Sequence, residues 1–371
     1  MVTTTWSTFF TTGVGEPQPA SSSAARTAND IAMRILCSIF ISSLDGTDVS
    51  ASSYMMRCGF FTIIRTGPRN HGVLDETSGK RKNGNGEVAR TAVDMARKRL
   101  IEKVLQKERD PDGQPRRSLV PDLLGALAHM PAVWRHPWFR SDLTDMRWLP
   151  TNEDIELPLG APAPLDLLDR LIEETSHRVI FDACGCRTAR RCQRHPIEIG
   201  CLLMGDSALE SPPSVRREVG ISEAREHVAR AVESGLVPMV GKARVDNYIF
   251  GVKERHRLLT ACFCCDCCCI SRYERHFPVN KLDEMFPSLD GLTLEVGGAC
   301  DGCAGRAESC ADRCYIGAIE VRGGRAVITE KCRGCGRCAV FCPTGAIKVS
   351  ITDGDFVAES YERIRAHVKH D

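Results

Sequence analysis

Cys332, Cys335, Cys338 and Cys342, the last followed by Pro343, are spaced C-x2-C-x2-C-x3-C-P. Thiolates are soft ligands, and this spacing lets three of them wrap one iron-sulfur cubane while the proline-marked fourth is carried away to a neighbouring cluster. A second cysteine set is therefore required. It lies just upstream as Cys300, Cys303, Cys310 and Cys314, spaced C-x2-C-x6-C-x3-C and followed by Tyr315-Ile316-Gly317-Ala318-Ile319. That tail echoes Pro343-Thr344-Gly345-Ala346-Ile347 after the other set, so the segment reads as an internal duplication. A four-thiolate zinc site would need only two C-x2-C pairs. The duplicated pattern exceeds that need.

Residues from about 293 to 350 resemble a bacterial-type dicluster ferredoxin domain. The resemblance implies two 4Fe-4S clusters, one held by Cys300, Cys303 and Cys310 with Cys342, the other by Cys332, Cys335 and Cys338 with Cys314. The first half departs from the usual pattern in its longer loop between Cys303 and Cys310, and in Tyr315, which stands where proline normally follows the exchanging cysteine. Proline there would set the start of a helix and bind no iron.

Besides Cys37 and Cys58 in the leader, ten further cysteines lie between residues 184 and 269. Cys184, Cys186, Cys192 and Cys201 form C-x-C-x5-C-x8-C, and four thiolates within eighteen residues are enough to close one site. Arg187, Arg190, Arg191 and Arg194 surround them with charge that favours thiolates and offsets a negative cluster. His195 is an alternative ligand, although a histidine in a basic loop is more often solvated. The run Cys262-Phe263-Cys264-Cys265-Asp266-Cys267-Cys268-Cys269 places six thiols in eight residues. Successive side chains diverge in helix or strand, so at least two directions must be served.

Residues from about 180 to 272 resemble a family of multicluster iron-sulfur proteins with a C-x-C-R…C-L-x-x-G and C-N-C-C-x-C-C-C pattern ahead of a dicluster ferredoxin. The matching positions are Cys184, Cys186-Arg187, Cys192, Pro196, Glu198, Cys201-Leu202, Gly205, Ser222-Glu223-Ala224, Gly235-Leu236-Val237 and Cys262 to Cys269. Phe263 replaces the usual asparagine and the helix start has one glutamate, which spares every cysteine. The resemblance implies metal binding and specifies no reaction. A further iron-sulfur cluster on these cysteines is the favoured reading; structural zinc or metal sequestration is the alternative.

The elements that must position these residues follow from periodicity. Residues 1–86 are rich in Ser, Thr and Gly and read as a low-complexity, disordered leader or an overlong gene start. Val93, Met95, Ala96, Leu100, Ile101 and Val104 recur at helical spacing up to Lys107. Leu165 to Glu174 is predicted helical, Arg178 to Phe181 a short buried strand, and a helix is predicted from Ser222 as N-cap to about Ser234, stopped by Gly235. Glu320 to Arg322, Gly323-Gly324 and Ala326 to Ile328 signal a hairpin, and a last helix is predicted near Glu359 to His367. The expected fold class is α+β: a mainly helical cysteine-rich domain, with mixed α/β elements, over 87–290, then a ferredoxin-like dicluster domain over 291–371 built from two pseudo-symmetric hairpins and short helices.

The 371 residues carry a formal net charge of +1, and basic and aromatic residues do not interleave, so no nucleic-acid partner is expected. No uninterrupted apolar stretch reaches the length of a membrane span. Twenty cysteines in tight, partly adjacent runs suit metal ligation better than disulfides and point to a reducing cytoplasm. Walker, G-x-S-x-G and H-E-x-x-H motifs are absent from the sequence. The expectation is an iron-sulfur electron-transfer protein exchanging electrons with a redox protein donor or acceptor. The alternative is a redox enzyme, a reductase whose active site is the middle cysteine cluster, with Asp246-Asn247 as polar lining or a plain turn.

Overall fold

The computed structural model describes residues 144–366 and Val368, all within one compact unit. The predicted leader, Cys37, Cys58 and the predicted helix ending at Lys107 lie outside the described residues.

Six strands, β1 (Asp145–Trp148), β2 (Arg178–Phe181), β3 (Leu202–Met204), β4 (Arg216–Glu218), β5 (Val237–Lys242) and β6 (Leu259–Cys264), form one sheet in the order β1-β5-β6-β3-β2-β4. Every pairing in it is antiparallel. The predicted strand at Arg178–Phe181 is β2, and its last three residues are all apolar because both faces are covered there. Ile180 enters the main core, whereas Val179 and Phe181 enter a smaller one with Leu203 and Phe250.

Three helices accompany the sheet: α1 (Pro164–Glu174), α2 (Gly185–Arg190) and α3 (Ile221–Glu233). In α1, Leu167, Leu168, Leu171 and Ile172 fall on one face and are buried. Full burial of each such side chain is worth about 1.5–3 kcal/mol. Pro164 starts the helix, and the Asp166 carboxylate accepts the Ala163 backbone N–H at 2.8 Å. α1 packs against α3, which lies on β2 and β5. Gly220, not Ser222, caps α3; Ser222 sits inside the first turn and donates to Glu226 at 3.4 Å. Gly235, in the left-handed region at φ 71°, ends it as predicted.

The stretch from 164 to 233 is thus largely helical and rich in cysteines. The frame beneath it, however, is a six-stranded sheet that a mainly helical domain leaves out. Its strands are three to six residues long, and β5 is buried throughout, so neither length nor alternation marked them.

After α4 (Asp246–Ile249) and β6 come α5 (Val279–Met285), β7 (Leu292–Val296), α6 (Cys310–Arg313), β8 (Ile319–Arg322), β9 (Arg325–Ile328), α7 (Arg337–Phe341), β10 (Ile347–Ile351) and α8 (Phe356–Ala366). β8 and β9 form the predicted hairpin, turned by Gly323 and Gly324 at φ 56° and 75°. The second ladder is not a hairpin. It joins β7 to β10 from the two ends of the segment, so the cysteine motifs are enclosed between its strands in sequence. α8 packs back against α1.

Candidate metal centres

The two halves of the duplication share one hydrogen-bonded step. In one, the Ala318 N–H donates to Cys314 Sγ at 3.2 Å; in the other, the Ala346 N–H donates to Cys342 Sγ at 3.3 Å. The same four-residue step follows a short helix in each case. Ala326 N–H donates to Cys300 Sγ at 3.3 Å. Such donors stabilise charge on sulfur. Gly302 makes one of the close turns, at φ 64°, where a Cβ would stand 2.6 Å from the Gly324 carbonyl oxygen.

Cys310 feels the charges of Cys303, Cys300 and Cys342; burial, the larger effect, and these neighbours together push its thiol up to about 11. Burial likewise raises Cys335 and Cys338, each with Cys314 and Cys332 acting on it. A cavity is lined by Cys314, Cys332, Cys335 and Cys338, walled by Trp148, Tyr315 and Ile316. The structure thus places Cys314 around one cavity with Cys332, Cys335 and Cys338, while Cys300, Cys303 and Cys342 act electrostatically on Cys310. Four sulfur donors around an apolar-walled space, with backbone N–H groups aimed at them, fit an iron-sulfur cubane.

The ten middle cysteines are divided differently from their order in the chain. Cys192 joins Cys265, Cys267 and Cys268, all four sulfurs lying within 4.8 Å of one another. Cys184 and Cys186 meet Cys269, which lies 3.1 Å from Cys264 sulfur to sulfur. Cys201 pairs with Cys262 at 3.7 Å. The loop 184–201 does not close a site of its own; each group takes thiols from both the loop and the run. The run does serve more than one direction, because Cys262 and Cys264 belong to β6 while Cys265 onward turns away from the sheet. None of the described cysteines forms a disulfide.

Arg187 is buried among these groups. It donates to the Pro196 carbonyl at 2.8 Å, the Phe263 carbonyl at 2.7 Å and the Ile199 carbonyl, tying α2 to the loop and to β6. Its charge lies close to Cys184, Cys265, Cys201 and Cys269. The hydrogen bond from Cys186, opposed by burial and aided by Arg187, brings the Cys184 thiol down to about 7, and the same bond pushes Cys186 up. Of the other arginines, Arg190 turns to Tyr273 and Arg194 pairs with Glu308 at 2.6 Å.

Three features were not read from the sequence. Asp266, inside the cysteine run and fully buried, accepts from Arg313 of α6 at 2.6 Å and from Arg337 of α7 at 3.3 Å. His195 Nε2 stands 3.5 Å from it, and His195, Asp266 and Cys267 form a second compact donor group. Burial opposes the Asp266 charge, but His195, Arg313 and Arg337 outweigh it and hold the carboxyl well below its ordinary range. Tyr315 donates to the Cys264 carbonyl at 2.9 Å and stacks on Trp148 with ring centroids 4.6 Å apart. The tyrosine in the proline position is thus a strut between the duplicated segment and β6. An acid inside a thiol run was the one visible signal for Asp266. Asp246 and Asn247 are buried in α4.

Residues 326–348 match the 4Fe-4S binding domain family. This stretch holds Cys332, Cys335, Cys338 and Cys342. No curated protein and no solved structure matches the chain. The C-terminal part carries a 4Fe-4S ferredoxin domain, the middle carries Cys, His and Asp groups able to chelate a metal, and the chain is an iron-sulfur-binding protein. Among the described residues no helix is long and apolar enough to cross a membrane.

Proposed function

We propose that this chain is a cytoplasmic iron-sulfur electron-transfer protein that exchanges electrons with a soluble redox protein. In this reading a ferredoxin unit over 291–371 binds two 4Fe-4S clusters, and a cysteine-rich unit over 87–290 binds a further one. The observation that supports it is that Cys314 lines a cavity with Cys332, Cys335 and Cys338 of the other half, and that the Cys342 charge reaches Cys310, as an exchange of fourth thiols between the halves requires. When bound, such clusters supply one-electron carriage. The protein's own contribution is to exclude water with Trp148, Tyr315 and Ile316 and to direct the N–H groups of Ala318, Ala326 and Ala346 at sulfur.

For the middle unit, Cys192, Cys265, Cys267 and Cys268 are the leading ligands. Their close spacing also suits one zinc ion, since bonds of about 2.3 Å in a tetrahedron set sulfurs about 3.8 Å apart. A reductase reading is supported by Cys267, which is half-buried and reaches the surface.

Iron, zinc and acid-labile sulfide per chain, with EPR of the reduced protein, test the proposal. About eight irons would fill only the two ferredoxin sets, and about twelve would add a middle cluster. Zinc with about eight irons would assign the middle quartet to a single ion. Fewer than four irons would overturn the electron-transfer reading.

A further inference from the structure

Cys201 and Cys262 stand apart from both foursomes of the middle region. Cys201 immediately precedes β3 and Cys262 lies in β6, and the register Leu202↔Ala261, extended by one residue, sets them directly opposite on neighbouring antiparallel strands. Their sulfurs are 3.7 Å apart and both side chains are half-buried. Opposed residues on antiparallel strands have Cα atoms about 4.5–5.5 Å apart, inside the span of about 4.4–6.8 Å that a disulfide bridges. Bond formation therefore asks for side-chain rotation and no strand movement. Cys262 is two residues from Cys264 and shares its face of β6. The pair thus borders the row formed by Cys264, Cys269, Cys186 and Cys184 without being needed to complete four thiols there.

We propose that Cys201 and Cys262 are a dithiol–disulfide couple that exchanges with small disulfide substrates. One of the two, as thiolate, attacks a substrate sulfur; the substrate S–S bond breaks, and one substrate thiol leaves with a proton. The other cysteine then attacks the mixed disulfide, the Cys201–Cys262 bond forms, and the second substrate thiol is released with a proton. Two electrons and two protons pass from the dithiol to the substrate, and excess substrate thiol reverses the sequence. Partial exposure places the couple among labile, reactive disulfides and not among structural ones.

The test uses the full chain, purified anaerobically with its metals in place, treated with oxidised glutathione, quenched by alkylation and mapped by peptide mass. The expected result is a Cys201–Cys262 linked peptide, release of about two reduced glutathiones per chain, and unchanged iron and zinc. Cys201→Ser should leave Cys262 as a mixed disulfide with glutathione and release about one. No linked peptide in the wild-type chain would overturn the couple, and so would loss of iron or zinc from Cys201→Ser or Cys262→Ser, which would make these thiols metal ligands. The wild-type mapping needs no variant to fold. Failure of the electron-transfer reading shows separately in the iron count of the same sample.

Discussion

The guanidinium of Arg313 meets the carboxylate of Asp266 at 2.6 Å, across 47 residues of sequence. It joins the helix between Cys310 and Cys314 to the middle of the Cys262–Cys269 run, and Arg337 makes the matching connection from α7. Removing the acid leaves two cations without their shared partner in a buried place. Asp266→Ala should destabilise the protein by about 3–5 kcal/mol, and Asp266→Asn by less, measured by denaturant unfolding at pH 7. Because the folded-state pKa is depressed, the advantage over Asp266→Asn is present above about pH 4 and shrinks on further acidification. An equal loss from both variants, independent of pH, would remove the charge from this account.

The proposed ligand crossing makes a prediction that chain order does not. Cys342→Ser should remove the same EPR signal as Cys303→Ser, and Cys314→Ser the same signal as Cys335→Ser, each with loss of about four irons. If Cys342→Ser instead matches Cys335→Ser, the sets are uncrossed.

Asp246 gives a pH dependence of opposite sign to that of Asp266. Burial raises its carboxyl from 3.8 to about 6. Between those values the folded protein keeps a proton that the unfolded chain has lost, so stability falls as pH rises through that window. A shift of about two units corresponds to about 3 kcal/mol. Asp246→Asn cannot ionise, and its melting temperature relative to wild type should therefore climb between about pH 4 and 6 and level off above it. A flat difference across that range would contradict the buried, protonated carboxyl.

Gly302→Ala combines a left-handed φ of 64° with a Cβ 2.6 Å from the Gly324 oxygen. The carbonyl belongs to the hairpin turn and cannot swing away as a flexible side chain would. A loss of about 1–3 kcal/mol is expected, together with reduced iron retention by the set containing Cys300 and Cys303. Normal stability and iron content would show that the turn relaxes freely.

Part of the C-terminal region was legible because its signals are local: the cysteine spacing within the matched stretch 326–348, the Gly323-Gly324 turn and the echo of Gly317-Ala318-Ile319 in Gly345-Ala346-Ile347 all lie within a few residues of what they determine. The groupings of the middle cysteines were not legible. Cys192 finds Cys267 across 75 residues, and Cys201 finds Cys262 across 61, by way of strands too short and too evenly buried to show a period. The second ladder, β7 with β10, was hidden for a different reason, since both of its strands do alternate in burial. Its partners are the ends of the segment, and a local hairpin signal has nothing to say about them. Tyr315 looked like a lapse from the proline pattern, yet its hydroxyl and ring connect Cys264 to Trp148.

The interleaving of the middle thiols has a biosynthetic consequence. Neither Cys192 nor the pair Cys184 and Cys186 has its companions until Cys264 to Cys269 have left the ribosome and β6 has docked between β5 and β3. Whatever delivers metal to these groups must therefore meet a chain that has already completed most of its sheet. Metal capture in this arrangement must follow synthesis of Cys269, and a nascent chain halted before residue 262 is unable to achieve it.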